Sequence, residues 1–218
     1  NVVAVVLRAN GDKAFCAGGD IRELYNNAKQ DSSLNEIFFR EEYALDQDIH
    51  AYPKPFIALM DGLVLGGGMG LAQGASFRIV TEKARLGMPE VSIGFFPDVG
   101  GSYFLSRLSC EMGTYMGVTG NSVGPADALQ LGLADWFLHR EQITEFDRCL
   151  DNMQWGHSSP EAVRSLLNTL ASKHSSGAQL TAVRGAINTH FAHNSVADII
   201  ASLTSETDSS IQAWCQET

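Results

Sequence analysis

The chain has 218 residues, 44% of them hydrophobic and 18% charged, with a formal net charge of −10. That length and apolar content support one globular domain with a sizeable core and exclude a disordered chain. The acidic balance excludes a general nucleic-acid or anionic-membrane surface, which needs a basic footprint, yet leaves room for a phosphate-bearing ligand held by a few cations or helix N-termini.

Residues 2–7, "VVAVVL", are β-branched and continuous, the pattern of a buried strand, and "RANGDK" turns the chain. The opening has no basic n-region and already reads as a strand, so no signal peptide is expected in it. "GGDIRELYNNAKQ" switches to helical character, and residues 31–52 predict a longer helix that Pro53 and Pro55 stop. "FIALMDGLVL" reads as strand, turn, strand, and "GGGMGLAQGA" as a glycine-rich helix start. Asp61 and the glycines interrupt this most apolar stretch too early and too often for a membrane span. "FRIVTEKARLGM" is strand-like. Short helical patterns follow over 99–108, 111–118 and 125–131, and "ADWFL" closes the series as a last strand.

After about residue 145 glycine becomes sparse, and helix-length patterns take over in "PEAVRSLLNTLASK", "LTAVRGAINTHFAH" and "SVADIIASLTS". The reading is an α/β core over 1–145 and a helical extension over 146–218. No repeat stands out in the sequence. The four cysteines (Cys16, Cys110, Cys149, Cys215) form no C-x-x-C pair, which points to reduced, intracellular usage. His190 and His193 in "HFAH" read as an exposed helix face, because no acid or cysteine completes a metal set; no metal site is expected.

Two glycine clusters, "AFCAGGD" (14–20) and "GLVLGGGMG" (62–70), lie after strands and before helices. Glycine lets the backbone approach a ligand, and a helix N-terminus offers unpaired N–H groups. Two such stretches could each give one N–H to a single carbonyl oxygen, as in an oxyanion hole. Gly68, Gly70 and Gly74 also fit a variant of the dinucleotide fingerprint, but no ribose-binding acid follows clearly, and close helix packing alone is the plainer alternative. P-loop and G-x-S-x-G signatures are absent.

The most unusual stretch is "LGMPEVSIGFFPDVGGSYFL", residues 86–105. Glu90 and Asp98 each follow a proline, stand among apolar residues, and have no lysine or arginine between Arg85 and Arg107. Desolvation would raise their pKa values and suit them to acid/base work near neutrality. The rival reading makes Asp98 the side-chain cap of the following helix and Glu90 an ordinary first-turn acid. The residues alone thus point to an acid/base pair beside an oxyanion hole, which is acyl-group chemistry.

"KAFCAGGDIREL", "KPFIALMDGLVLGGGMGLA", "FRIVTEKARLGMPEVSIGFFPDVGGSYFLSRL" and "GPADALQLGLADWF", in this order and spacing, resemble the crotonase (enoyl-CoA hydratase/isomerase) superfamily. Within it the pattern looks most like the 3-hydroxyisobutyryl-CoA hydrolase branch. The resemblance implies a spiral of strand–strand–helix units and an acyl-CoA thioester substrate, with coenzyme A as part of the substrate and no separate cofactor. It implies backbone donors at Gly19 and Gly67, catalytic acids at Glu90 and Asp98, with Glu90 either activating water or attacking the carbonyl itself, and substrate contact by Glu42 in "FFREEY" (38–43). Hydratases carry a glutamate where this chain has Gly70 and a small residue where it has Asp98, so "FFPDVGG" separates the hydrolase pattern from theirs. The implied reaction is hydrolysis of a short-chain hydroxyacyl-CoA, 3-hydroxyisobutyryl-CoA first, with a hydratase or isomerase reaction or a non-catalytic subunit as alternatives. A trimer-based homo-oligomer, mitochondrial location and further segments at both ends are implied on the same ground.

Overall fold

The computed structural model describes residues 2–30, 32–156, 159–172 and 177–218. Among these, seven strands alternate between two parallel sheets. β1 (Val5–Leu7), β3 (Phe56–Met60), β5 (Phe77–Val80) and β7 (Trp136–Phe137) form a four-stranded sheet in that order. β2 (Ala14–Cys16), β4 (Leu63–Leu65) and β6 (Arg85–Gly87) form a three-stranded sheet, also in chain order. Each pass leaves one strand in each sheet and then crosses over, as parallel pairing requires. The crossovers are α1 (Ile21–Lys29) with α2 (Leu34–His50), then α3 (Gly67–Gln73). The third runs through a 3-10 turn (Pro89–Ile93), α4 (Gly101–Leu105), α5 (Met112–Thr119) and α6 (Pro125–Leu131). This is the strand–strand–helix spiral that the sequence resemblance implies.

β3 shows why its sequence is an unbroken apolar run. It lies between β1 and β5 and is buried along its whole length. Its side chains alternate, as a strand's must. Phe56, Ala58 and Met60 join a core with Met69 and Ala72 of α3 and Leu86 of β6. Ile57 and Leu59 join a second layer with Phe77, Ile79, Trp136 and Leu138. That layer is closed by Phe146 and Leu150 of α7 (Ile143–Asp151) and by Val163 and Leu167 of α8 (Ser159–Leu170). The chain continues through α9 (Leu180–His190), α10 (Val196–Thr204) and α11 (Gln212–Glu217).

Several local expectations change. The first strand covers three residues rather than 2–7, β2 appears where only a glycine stretch was expected, and "FRIVTEKARLGM" folds as two strands. The split follows from topology, since β5 and β6 belong to different sheets. His190, expected on an exposed helix face, is 2% exposed. Its Nδ1 lies 2.8 Å from Ser202 Oγ in α10, and its Nε2 lies 3.1 Å from Glu206 Oε2. Both partners come later in the chain, so helical periodicity could not reveal them. His193 is exposed. The four cysteines are free thiols.

Candidate active site

The three-stranded sheet explains how distant motifs meet. β2, β4 and β6 run parallel and side by side, so the segments leaving their carboxyl ends emerge together. Those segments are Ala17–Gly19, Gly66–Gly67 and Met88–Glu90. Ligands of parallel sheets bind at such carboxyl ends. A cavity of about 650 Å³ opens there, lined by Gly18, Gly19, Gly66, Gly67, Glu42, Glu90 and Asp98 together with apolar residues of α1 and α2. Gly19, Glu42, Gly67, Glu90 and Asp98, the site residues that the sequence motifs name, all line it, whereas Gly70 and Gly74 do not.

The two glycine turns touch. A Cβ on Gly18, whose φ is +95°, would stand 3.6 Å from the Gly67 nitrogen. A side chain on Gly68 would overlap the Cys16 carbonyl, so glycine there lets α3 pack directly on the end of β2. Among the described residues neither the Gly19 nor the Gly67 amide donates to a backbone carbonyl across a turn or loop. Both residues line the cavity. No cluster of three His, Cys, Asp or Glu among the described residues is arranged to hold a metal ion.

Glu90 sits in the 3-10 turn behind Pro89, which occupies the first-turn position where its missing N–H costs nothing. The residue is 8% exposed, and its Oε2 is buried with no hydrogen-bond partner. Oε1 lies so near Gly66 that a Cβ there would come within 2.6 Å of it. Burial raises the Glu90 pKa; its own backbone N–H opposes that shift, and the negative charge of Asp98 adds to it. Burial also raises Glu42, helped by the charges of Asp98 and Glu90.

Asp98 is not a helix cap. α4 is preceded by Gly100 and has no side-chain cap. The Asp98 carboxylate turns instead toward α2, where Tyr43 Oη donates to Oδ2 at 2.6 Å. The motifs "FFREEY" and "FFPD" also pack on each other, Phe39 stacking on Phe95 at 6.1 Å and Phe95 on Phe96 at 4.4 Å. Such pairs contribute about 0.5–1.5 kcal/mol each beyond their burial.

On the other side of Asp98 lies a second cavity of about 650 Å³, lined by Tyr43, Asp46, Gly70, Val99 and Phe104 among others. Position 70 is glycine for a steric reason. A Cβ there would stand 2.6 Å from the Val99 Cβ and 2.7 Å from Asp46 Oδ2. An acid carried by α2 thus fills the space that a side chain on α3 would take. Both Asp46 oxygens are buried without a partner. Sequence reasoning missed Asp46 and Tyr43. The available signal was the i, i+4 spacing of Glu42 and Asp46, which places them on one helix face.

The enoyl-CoA hydratase/isomerase family model matches residues 1–218. The chain belongs to the enoyl-CoA hydratase/isomerase family. The mitochondrial 3-hydroxyisobutyryl-CoA hydrolase of Xenopus laevis is 39% identical over 204 residues, 91% of this chain and 52% of that protein. Its Danio rerio counterpart is 43% identical over 150 residues, 69% of this chain and 39% of that protein. The chain therefore spans about half the length, or less, of the curated relatives it matches. A carnitinyl-CoA dehydratase from Mycobacterium thermoresistibile has the same fold, with a TM-score of 0.85 at 36% identity, covering 97% of this chain and 60% of that one. Within this crotonase family the cavity at the ends of β2, β4 and β6 is the candidate active site. No helix among the described residues is long and apolar enough to cross a membrane.

Proposed function

We propose that the protein carrying this chain hydrolyses a short-chain hydroxyacyl-CoA thioester, 3-hydroxyisobutyryl-CoA first. The observation that carries the reading is the convergence of Glu90 and Asp98 on the cavity lined by Gly19 and Gly67. The relatives' names supply the substrate. The thioester oxygen accepts from the Gly19 and Gly67 amides, which hold the negative charge as the carbonyl carbon becomes tetrahedral. Glu90, its carboxyl raised by burial, takes a proton from water as the water oxygen bonds to that carbon. The C–S bond then breaks, and the proton passes to the departing CoA sulfur. Asp98 orients the reacting groups on the acyl side, and Glu42 contacts the acyl portion beside Gly67.

These steps use the chain's own groups and coenzyme A as part of the substrate. A mitochondrial site follows the relatives' names, and a trimer-based homo-oligomer follows the family resemblance.

The test is release of free thiol from 3-hydroxyisobutyryl-CoA. Glu90→Gln should lower kcat by about 10²–10⁴-fold, the usual span for a lost general base, and leave KM within a few-fold. Equal rates for both proteins would remove Glu90 from the reaction. A second reading, hydration or double-bond migration, is favoured by the fold's likeness to a dehydratase. It would appear as a new or lost enoyl absorbance without thiol release.

A further inference from the structure

Asp98 stands where four carboxyl groups meet. Burial exposes Glu42 to the charges of Asp98 and Glu90, and Asp46 to those of Glu42 and Asp98. Neither cavity is lined by a lysine or arginine among the described residues; His50 is the basic group on the second. Like charges in such surroundings repel, so a carboxylate placed in the shared wall is pushed toward solvent unless a donor holds it.

The loop fixes the Asp98 backbone. Pro97 precedes it, Val99 takes φ +42° and Gly100 φ +82°, and the Gly101 amide donates to the Asp98 carbonyl. A β-branched residue at positive φ is costly and persists where its surroundings over-determine it. Val99 is buried against α3 at Gly70. These restraints leave the carboxylate itself free to turn about its side-chain bonds. Among the described residues, the donor that holds it is Tyr43 Oη, at 2.6 Å from Oδ2. Oδ1 has no partner in the chain among the described residues and stays available to the site. Burial and the bond to Asp98 push the Tyr43 phenol above its ordinary range, so it remains a donor at neutral pH.

We propose that Tyr43 is a positioning residue of the reaction: its hydroxyl holds the Asp98 carboxylate in the wall between the two cavities, against the repulsion of Glu42, Asp46 and Glu90. Tyr43 acts through Asp98. The proposal rests on the thioester-hydrolase reading of the site.

The experiment measures thiol release from 3-hydroxyisobutyryl-CoA for wild type, Tyr43→Phe, Asp98→Asn and the double variant, with a melting curve for each. Tyr43→Phe should fold normally and lower kcat by roughly tenfold, the lower range for a hydrogen bond to a charged group, with KM within about twofold. In the Asp98→Asn background the same change should cost less than about twofold, because coupled residues are not additive. An unchanged kcat for Tyr43→Phe, or an equal loss in both backgrounds, would overturn the proposal. A crystal structure of Tyr43→Phe gives a reading independent of turnover. Asp98 rotated away supports the role, and Asp98 unmoved ends it. Wild type that releases no thiol from the substrate would instead sink the hydrolase reading, and this proposal with it.

Discussion

Asp46 is a buried acid whose oxygens find no hydrogen-bond partner among the described residues. Burial, then the charges of Glu42 and Asp98, push its carboxyl up to about 7. Between the ordinary aspartate value and 7 the folded chain binds more proton at this position than the unfolded chain does. Stability therefore falls as pH rises through that window. Asn keeps the shape and removes the titration. Asp46→Asn should raise stability at pH 8 by on the order of 2 kcal/mol, allowing for the solvent that reaches the cavity. The gain should vanish near pH 4. Thermal melts at the two values decide it; an identical shift at both would mean that Asp46 carries no buried proton. The sequence offered only the i, i+4 spacing of that aspartate from Glu42; its place against Gly70 was illegible because Gly70 comes from another element. Glu90 and Asp98 were legible because their apolar, cation-free surroundings are contiguous with them in the chain.

At the scale of elements, the junction of β2 with α3 holds the site together. Gly68 lets the first turn of α3 rest on the Cys16 carbonyl, and this brings Gly67 beside Gly18. Gly68→Ala forces that backbone contact apart. The expected loss is roughly 1–3 kcal/mol of stability, as for other overpacked sites, and a fall in kcat larger than the change in stability explains. Retention of full activity would show that the two amides need not share one oxygen. The glycine clusters themselves were visible in the sequence, but their roles were not. A glycine needed for close packing and one needed for a ligand look alike until the facing backbone is known. The 77–88 stretch reads as one strand for a related reason: the polar turn at 81–83 that divides it has no glycine or proline, and the pairing partners are what separate β5 from β6.

Across the whole molecule, stability and chemistry sit on opposite faces of the four-stranded sheet. Ile57, Leu59, Phe77 and Ile79 pack under α7 and α8, while Met69, Met88 and Val99 pack on the side that carries the acids and glycines. Leu167, fully buried in the first of these layers, tests the separation. Leu167→Ala should cost about 2–5 kcal/mol and leave kcat near wild type, as read by denaturant unfolding and thiol release on the same preparation. A large fall in kcat at temperatures where the variant stays folded would show that the two faces are coupled. The amino-acid sequence by itself determined the helices of the crossovers, the strands β1, β3, β4 and β7, the two glycine turns and the two acids with no cation near them in the chain, because each depends on residues adjacent in the chain. The tertiary structure decided which strands share a sheet, that α7 and α8 complete its far face, and that Tyr43 and Asp46 of α2 stand against Asp98 and Gly70. Those pairings join segments tens of residues apart, and only the parallel order β2–β4–β6 brings their ends to one place.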